Sequence, residues 1–383
     1  MKKISILLFL NSVISFSQSF TGPTINPFSL TNSGGFNSPV FVDIDNDNDF
    51  DCFNGQVNGY TSFFENTGTQ SNPDFADWYI NPFGIFDAGN VAQPVFGDID
   101  NDNDFDVYIG EANFTIYFLR NTGSVSNPNF TFISSNPDGI TGLGPNVSPV
   151  FVDIDDDNDL DLFTGETDGT ILFFRNIGTV SDPQFGNSVT NPFGLTDVGS
   201  GSTPSFCDID KDGDYDAFVG NQAGNIIFFN NSGTNTSPNF DPPVTNPFGL
   251  SDVGSFSNPT FVDINNDGKE ELFVGTEAGN FYYFNNTTIV SVEVEQSKDF
   301  VELKAYPNPV NGILNISATN INLDESELYV YSILGERITV NPMRNGSLIS
   351  LDFSNEATGI YLLVIKSDVV NYSTKIIKSG NGF

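Results

Sequence analysis

Residues 43–51 read DIDNDNDFD, with five carboxylates in nine positions and no Lys or Arg among them. Ionised carboxylates packed that closely repel one another, and a stretch that served only solubility would intersperse both signs. The stretch returns as DIDNDNDFD at 98–106, DIDDDNDLD at 153–161, DIDKDGDYD at 208–216 and DINNDGKEE at 263–271. Its first Asp falls at 43, 98, 153, 208 and 263, a constant step of 55 residues. The same step relates Asn66, Asn121, Asn176, Asn231 and Asn286, and also Phe20, Phe75, Phe130, Phe185 and Phe240. The NPF-like tripeptides starting at Asn26, Asn81, Asn136, Asn191 and Asn246 keep it too. Five copies without insertion or deletion are one structural unit repeated.

Each unit reads as four short strands separated by turn chemistry. In the first copy these are PVFVDI, FDCFNG, GYTSFFEN and DFADWYI, with NTGTQSNP between the third and fourth and a second turn after NPFG. Four strands per unit of this length suit a blade of a β-propeller. The segment from Phe20 to Asn37 matches only a fourth strand and its turn, whereas Pro259 to Asn286 matches only strands one to three. Together they make one complete blade. The expected fold is therefore all-β: a five-bladed β-propeller closed by the N-terminal strand, which leaves no open sheet edge, followed by a small Ig-like β-sandwich.

Written by position, the acidic loop is D-x-D-x-D-[N/G]-x-x-D between the first and second strands. Alternating Asp side chains in a tight loop supply the six to eight oxygens that a hard cation such as Ca²⁺ takes. In the first copy Asp43, Asp45, Asp47 and Asp51 are the side-chain candidates, while Asp49 offers its backbone carbonyl, because Lys269 occupies that place in the fifth. The corresponding candidates are Asp98, Asp100, Asp102, Asp104 and Asp106; Asp153, Asp155, Asp157, Asp159 and Asp161; and Asp208, Asp210, Asp212, Asp214 and Asp216. The fifth loop offers Asp263, Asn265, Asp267, Lys269 and Glu271 and, one side-chain charge short, is expected to bind most weakly. The sixth position is Asn48, Asn103, Asn158, Gly213 or Gly268, the types that best tolerate a left-handed backbone. Up to five Ca²⁺ ions follow, one per repeat.

These loops resemble the FG-GAP (VCBS) repeats of integrin-type propellers, through the acidic pattern followed by an apolar strand ending in Gly, as in LDLFTG and YDAFVG. The resemblance covers about residues 20–290. Members of that family are most often seven-bladed, so five copies is a departure.

The bulk chemistry agrees with a cation as partner. The net charge is −36, and residues 19–290 hold 38 acidic against four basic side chains. Such a surface disfavours nucleic acid and anionic membranes. There is no His, which excludes Ser-His-Asp and Cys-His catalysis and His-ligated zinc. Cys52 and Cys207 align with small buried hydrophobes in other copies, and no bond is expected between them. At the start, Lys2 and Lys3 precede an apolar run from Ile4 to Leu10, and Ser15 and Ser17 sit two apart. This reads as a signal peptide over 1–17, too short to be a transmembrane segment.

The repeat occupies 18–290, and 291–300 reads as a linker. The remaining 301–383 carries alternating apolar patterns such as ILNIS and GIYLLVI, which suggest antiparallel strands. YPNPVNGILNI at 306–316, LYVYSILGERI at 328–338, GIYLLVI at 359–365 and TKIIK at 374–378 resemble, in order, the C-terminal sorting domain of type IX secretion. That resemblance implies passage through an outer membrane by the type IX machinery, then release or surface attachment.

The expected role is an exported binding or adhesion module for a glycan or a protein. Trp78, the only Trp, and Tyr79 could stack on sugar rings, although packing within a blade is the competing use of Trp78. The alternatives are a carbohydrate-active hydrolase using Glu111 and Glu166, or a structural spacer without ligand. Glu111 and Glu166 occupy equivalent places beside Gln56, Asn221 and Thr276, which favours a structural edge over a catalytic pair.

Overall fold

The computed structural model describes residues 14–292, 303–318, 323, 324, 326–333, 337–366 and 371–380. Most of the predicted signal peptide (1–13) and of the predicted linker (293–300) lies outside the described residues. The chain divides into two units, one spanning Phe16–Ile289 and one containing Val290–Phe383.

The repeat unit is built of five four-stranded antiparallel sheets, one per copy. First strands run Ser38–Val42, Gln93–Gly97, Ser148–Val152, Thr203–Cys207 and Asn258–Val262. Second strands run Asp51–Gly55, Asp106–Gly110, Asp161–Gly165, Asp216–Gly220 and Glu271–Gly275, and they are buried at every residue. That explains their mostly apolar interiors, since a strand covered on both faces has no solvent side to make polar; Asn54 and Thr164 are the buried polar exceptions. The third strand of the fifth copy, Phe281–Asn286, takes Phe20–Ile25 as its outer partner, with Phe20 opposite Asn286 and Ile25 opposite Tyr282.

One device joins each sheet to the next. An aromatic ring of a second strand packs on an aromatic ring of the following first strand. The pairs are Phe53–Phe96 at 4.5 Å, Tyr108–Phe151 at 5.0 Å, Phe163–Phe206 at 4.6 Å, Phe218–Phe261 at 4.7 Å and Phe273–Phe41 at 4.4 Å. The Gly that ends each second strand lies against the backbone leading into the following sheet. A Cβ there would stand 2.0–2.2 Å from the carbonyl oxygen of Ala92, Val147, Ser202, Ser257 or Asn37. The last members of both series run from the fifth copy to the first.

In three copies the fourth strand is shorter than DFADWYI predicts: only Tyr79–Ile80, Val189–Thr190 and Val244–Thr245 pair, whereas Phe130–Ser135 and Phe20–Ile25 run six residues. In the first copy Asn66 Oδ1 accepts the N–H groups of Gly68 and Asp74 at 3.1 and 3.0 Å. It holds the turn, and Phe75 stands as an isolated bridge before the chain bulges away. The NPF turn is held the same way throughout: Asn81, Asn136, Asn191, Asn246 and Asn26 each accept a third-strand N–H at 2.8–3.0 Å. Cys52 and Cys207 are both free and buried.

The tail unit consists of two four-stranded sheets, one containing Leu303–Tyr306, Ile313–Ala318, Met343–Asn345 and Leu348–Asp352. The other contains Glu327–Ser332, Arg337–Ile338, Gly359–Lys366 and Asn371–Lys378. Leu314, Ile316, Ile349 and Leu351 from the first share one core with Val330, Leu363, Ile365 and Ile376 from the second. The PNPVNG and TKIIK stretches meet. Asn308 donates to the Lys375 carbonyl at 2.7 Å and accepts the Ile377 N–H at 2.8 Å. The buried Lys378 ammonium donates to the Asn311 carbonyl at 2.8 Å. Lys among apolar residues is tolerated there because backbone oxygens receive its protons.

Since no side chain fits where Gly165 meets the Ser202 carbonyl, Gly165→Ala must push two sheets apart. The expected loss is about 1–3 kcal/mol, read as a lower midpoint in denaturant unfolding.

Candidate metal centre

The acidic loops hold their shape by the same bonds in each copy. The first carboxylate, Asp43, accepts the N–H of Asp47 through Oδ1 and that of Asn48 through Oδ2, both at 3.0 Å. Asp98, Asp153, Asp208 and Asp263 do the same, at 2.9–3.2 Å. The fifth-position Asp47 accepts the N–H of Asp49 at 3.0 Å. Asn48, Asn103 and Asn158 adopt φ of 72–74°, and Gly213 and Gly268 adopt 99° and 83°, as the sixth position was expected to require.

This geometry gathers negative charge. In the first four loops the carboxylate oxygens of the first, third and fifth positions lie within 4.8 Å of one another. They are Asp43, Asp45 and Asp47; Asp98, Asp100 and Asp102; Asp153, Asp155 and Asp157; and Asp208, Asp210 and Asp212. The fifth loop lacks the trio because Asn265 stands at its third position, its amide donating to Glu271 Oε1 at 3.0 Å.

The ninth residue ties the loop to the sheet. Asp51, Asp106, Asp161 and Asp216 each accept, through Oδ1, the N–H of Asn66, Asn121, Asn176 or Asn231 at 2.7 Å. Their second oxygens are another matter. Asp106, Asp161 and Asp216 Oδ2 and Glu271 Oε2 are buried without a partner. So are Asp45 and Asp155 Oδ1 and Asn265 Oδ1 at the third position, and Asp49, Asp104, Asp159 and Asp214 Oδ1 at the seventh. The seventh-position carboxylates therefore also face inward, beyond the backbone carbonyl expected of them. Buried oxygens in such number without donors are costly, and a hard cation satisfies them together. The donor set fits the metal that the sequence implies.

Burial, with repulsion from the neighbouring carboxylates, raises these groups. Asp49, Asp104, Asp159 and Asp214 are pushed up to about 6. Asp106 and Asp161 reach about 7, and Asp51, Asp216 and Glu271 about 8. A carboxylate raised in the folded state binds more protons folded than unfolded, so metal-free stability falls as pH rises from about 4 to 8. In excess chelator, thermal unfolding is expected at a higher temperature at pH 5 than at pH 8. Added divalent cation should reverse that order.

Of the two aromatic candidates, Trp78 is 37% and Tyr79 49% exposed, and the Tyr79 ring packs edge-on against Phe63 at 5.5 Å. A neighbouring group escaped the sequence reading. Phe86, Tyr117 and Phe132 form a three-ring cluster with centroids 5.3–6.2 Å apart, with Phe132 half exposed. Phe114, also exposed, adopts φ 64°. Gly59, Gly169, Gly224 and Gly279 stand at its place in the other copies. There a Cβ would strike the backbone of the facing connection, yet opposite Phe114 that connection carries Gly142 in place of Asn or Asp. Phe86, Phe114 and Phe132 have no aromatic counterpart in any other copy. That break in the repeat is the signal that would have found them.

Glu111 and Glu166, the leftover acids, are buried. Glu111 accepts the Asn113 backbone N–H at 2.7 Å and its side-chain amide at 2.9 Å. Thr164 donates to Glu166 at 3.2 Å, and burial pushes this carboxyl up to about 7.

Comparison with known proteins bears on both units. No curated protein matches the chain. Among solved structures, Saccharomyces cerevisiae Sqt1 is similar at 11% identity and a TM-score of 0.33, covering 86% of this chain and 81% of that one. BBS1N in complex with ARL6DN follows at 10% and 0.30, covering 90% and 98%. The plexin A4 extracellular region matches at 8% and 0.27, covering 86% and 53%. At these scores the likenesses carry no argument. The model of the FG-GAP-like repeat matches residues 208–274, which contain the fourth acidic loop and run to the second strand of the fifth copy. The model of the secretion system C-terminal sorting domain matches residues 304–379, the two-sheet tail. The chain thus carries an FG-GAP-like repeat and a sorting tail that directs it by type IX secretion to the cell surface or the extracellular space.

Proposed function

We propose that the chain is an exported binding module whose repeat unit, residues 18–290, is a five-bladed β-propeller stabilised by Ca²⁺ and sent out by the tail. Cleavage of the leader over 1–17 belongs to the same reading. Ring closure is supported by the aromatic and Gly contacts that run from the fifth copy back to the first. It is supported also by Gln93, whose Oε1 accepts Asn258 Nδ2 at 2.8 Å. These residues open the first strands of the second and fifth sheets, and their bond is what first strands gathered around a narrow centre would make.

Calcium is favoured over magnesium because each loop offers protein oxygens in a cage, and magnesium keeps its waters. The observation that carries the binding reading is the repeat-breaking aromatic cluster of Phe86, Tyr117 and Phe132, with Phe132 half exposed. Exposed rings suit stacking on sugars or insertion into a protein partner. A hydrolase is less well supported, since Glu111 is engaged by Asn113 and both acids are buried.

Removing calcium from the full chain should lower its melting temperature by about 5 °C or more; an unchanged melt in excess chelator sinks the calcium reading. On a broad glycan array, the folded, calcium-loaded chain should bind a defined sugar class, and Phe132→Ala should abolish the signal. Silence of the folded protein on the array would remove glycan from the proposal and leave a protein partner.

A further inference from the structure

The acidic loops share their backbone but not the side chain that looks onto them from the third strand. That residue precedes the Asn whose N–H bonds the ninth-position carboxylate, and it is Glu65, Arg120, Arg175, Asn230 and Asn285 in the five copies. Arg120 pairs with the third-position Asp100 at 3.3 Å, and Arg175 pairs with the third-position Asp155. Both guanidiniums hold Oδ2, and in the third loop Oδ1 of Asp155 stays buried without a partner. In the first loop Glu65 occupies that place and its charge adds to those already on Asp45 and Asp49. The amides of the last two copies turn elsewhere, Asn230 toward Asp241 at 3.5 Å and Asn285 toward the Tyr283 hydroxyl at 3.1 Å.

We propose that this residue, at or just past the end of the third strand, grades the cation affinity of the loops, so that the first loop fills ahead of the second and third. The inference rests on the reading of the loops as calcium sites. The first loop, with five Asp and Glu65 around it, fills first. The fourth, with five Asp and a neutral Asn230, ranks below it because Lys211 stands within the loop. In the second and third the counter-cation stands opposite the third-position Asp, and the third has a sixth acid, Asp156. Arg120 and Arg175 offset part of the repulsion when no metal is bound, which keeps those loops formed, and oppose the arriving ion by the same charge. The fifth is weak for a separate reason, the Asn265 amide in place of a carboxylate.

One unit charge acting on a divalent ion from a few ångströms away, in surroundings near water, changes affinity by about tenfold, and less at high salt. Arg120 and Arg175 each gain nothing from the ion and lose nothing of the backbone when shortened, so Gln is the suitable replacement. Calcium binding to the full chain is to be followed by isothermal titration calorimetry at low and at physiological ionic strength. The double variant Arg120→Gln/Arg175→Gln should tighten two binding events about tenfold, whereas Glu65→Gln should weaken the tightest event about tenfold. Both shifts should shrink as salt is raised. Melting temperatures of the calcium-loaded variants check that each is folded, and Arg120→Lys, which keeps the charge, should restore the wild-type isotherm. Calcium isotherms that superpose for all variants would overturn this inference alone, as would weaker binding on removal of the arginines. A wild-type chain that binds no calcium at all would overturn the calcium reading and take this inference with it.

Discussion

The repulsion among carboxylates sharing one nine-residue loop is the constraint around which the repeat unit is arranged. Every loop spends its backbone N–H groups on the first and fifth Asp, and the third strand supplies one more to the ninth. These bonds fix where the carboxylates stand without neutralising them. Because the ninth residue is also the first residue of the fully buried second strand, the electrostatic state of the loop is passed directly to the centre of each sheet. A metal bound there would be coupled to packing, since charge balance at the loop and burial of the apolar strand would be two sides of one local equilibrium.

The sheet junctions show a second use of periodicity. An aromatic ring and a Gly, always on the second strand, face the following first strand. Bulk and absence of bulk are set a fixed distance apart, so the neighbouring sheet can seat in only one register. Repetition of that pair five times, together with the shared clusters between successive sheets, accords with the constant step of 55 residues.

Much of this was legible in the sequence, and the reason is the constant step of 55. Strict repetition exposes strands, turns and loops by comparison of the chain with itself, and the pairing of Phe20–Ile25 with the last copy follows from what each end lacks. What stayed hidden falls into two kinds. The fourth strand is interrupted between Phe75 and Tyr79, and at the same place in the third and fourth copies, an irregularity that apolar patterning does not register. Arg120, Arg175 and Glu65 were visible as letters, but their facing the third-position carboxylate depends on which side of the third strand abuts the loop. The aromatic cluster of Phe86, Tyr117 and Phe132 shows in the sequence only as a departure from the repeat, because its rings are far apart in the chain and meet through the packing of the first and second sheets.

The outer strand of the fifth sheet comes from the beginning of the chain, with Phe20 opposite Asn286. More than two hundred residues must be laid down before that strand meets its partner, so the contact of highest sequence separation is also the last to become available. In a chain synthesised from its N-terminus, this postpones completion of the fifth sheet until nearly all of the repeat unit has been made. A chain caught part-way has an outer strand, Phe20–Ile25, with no third strand to receive it.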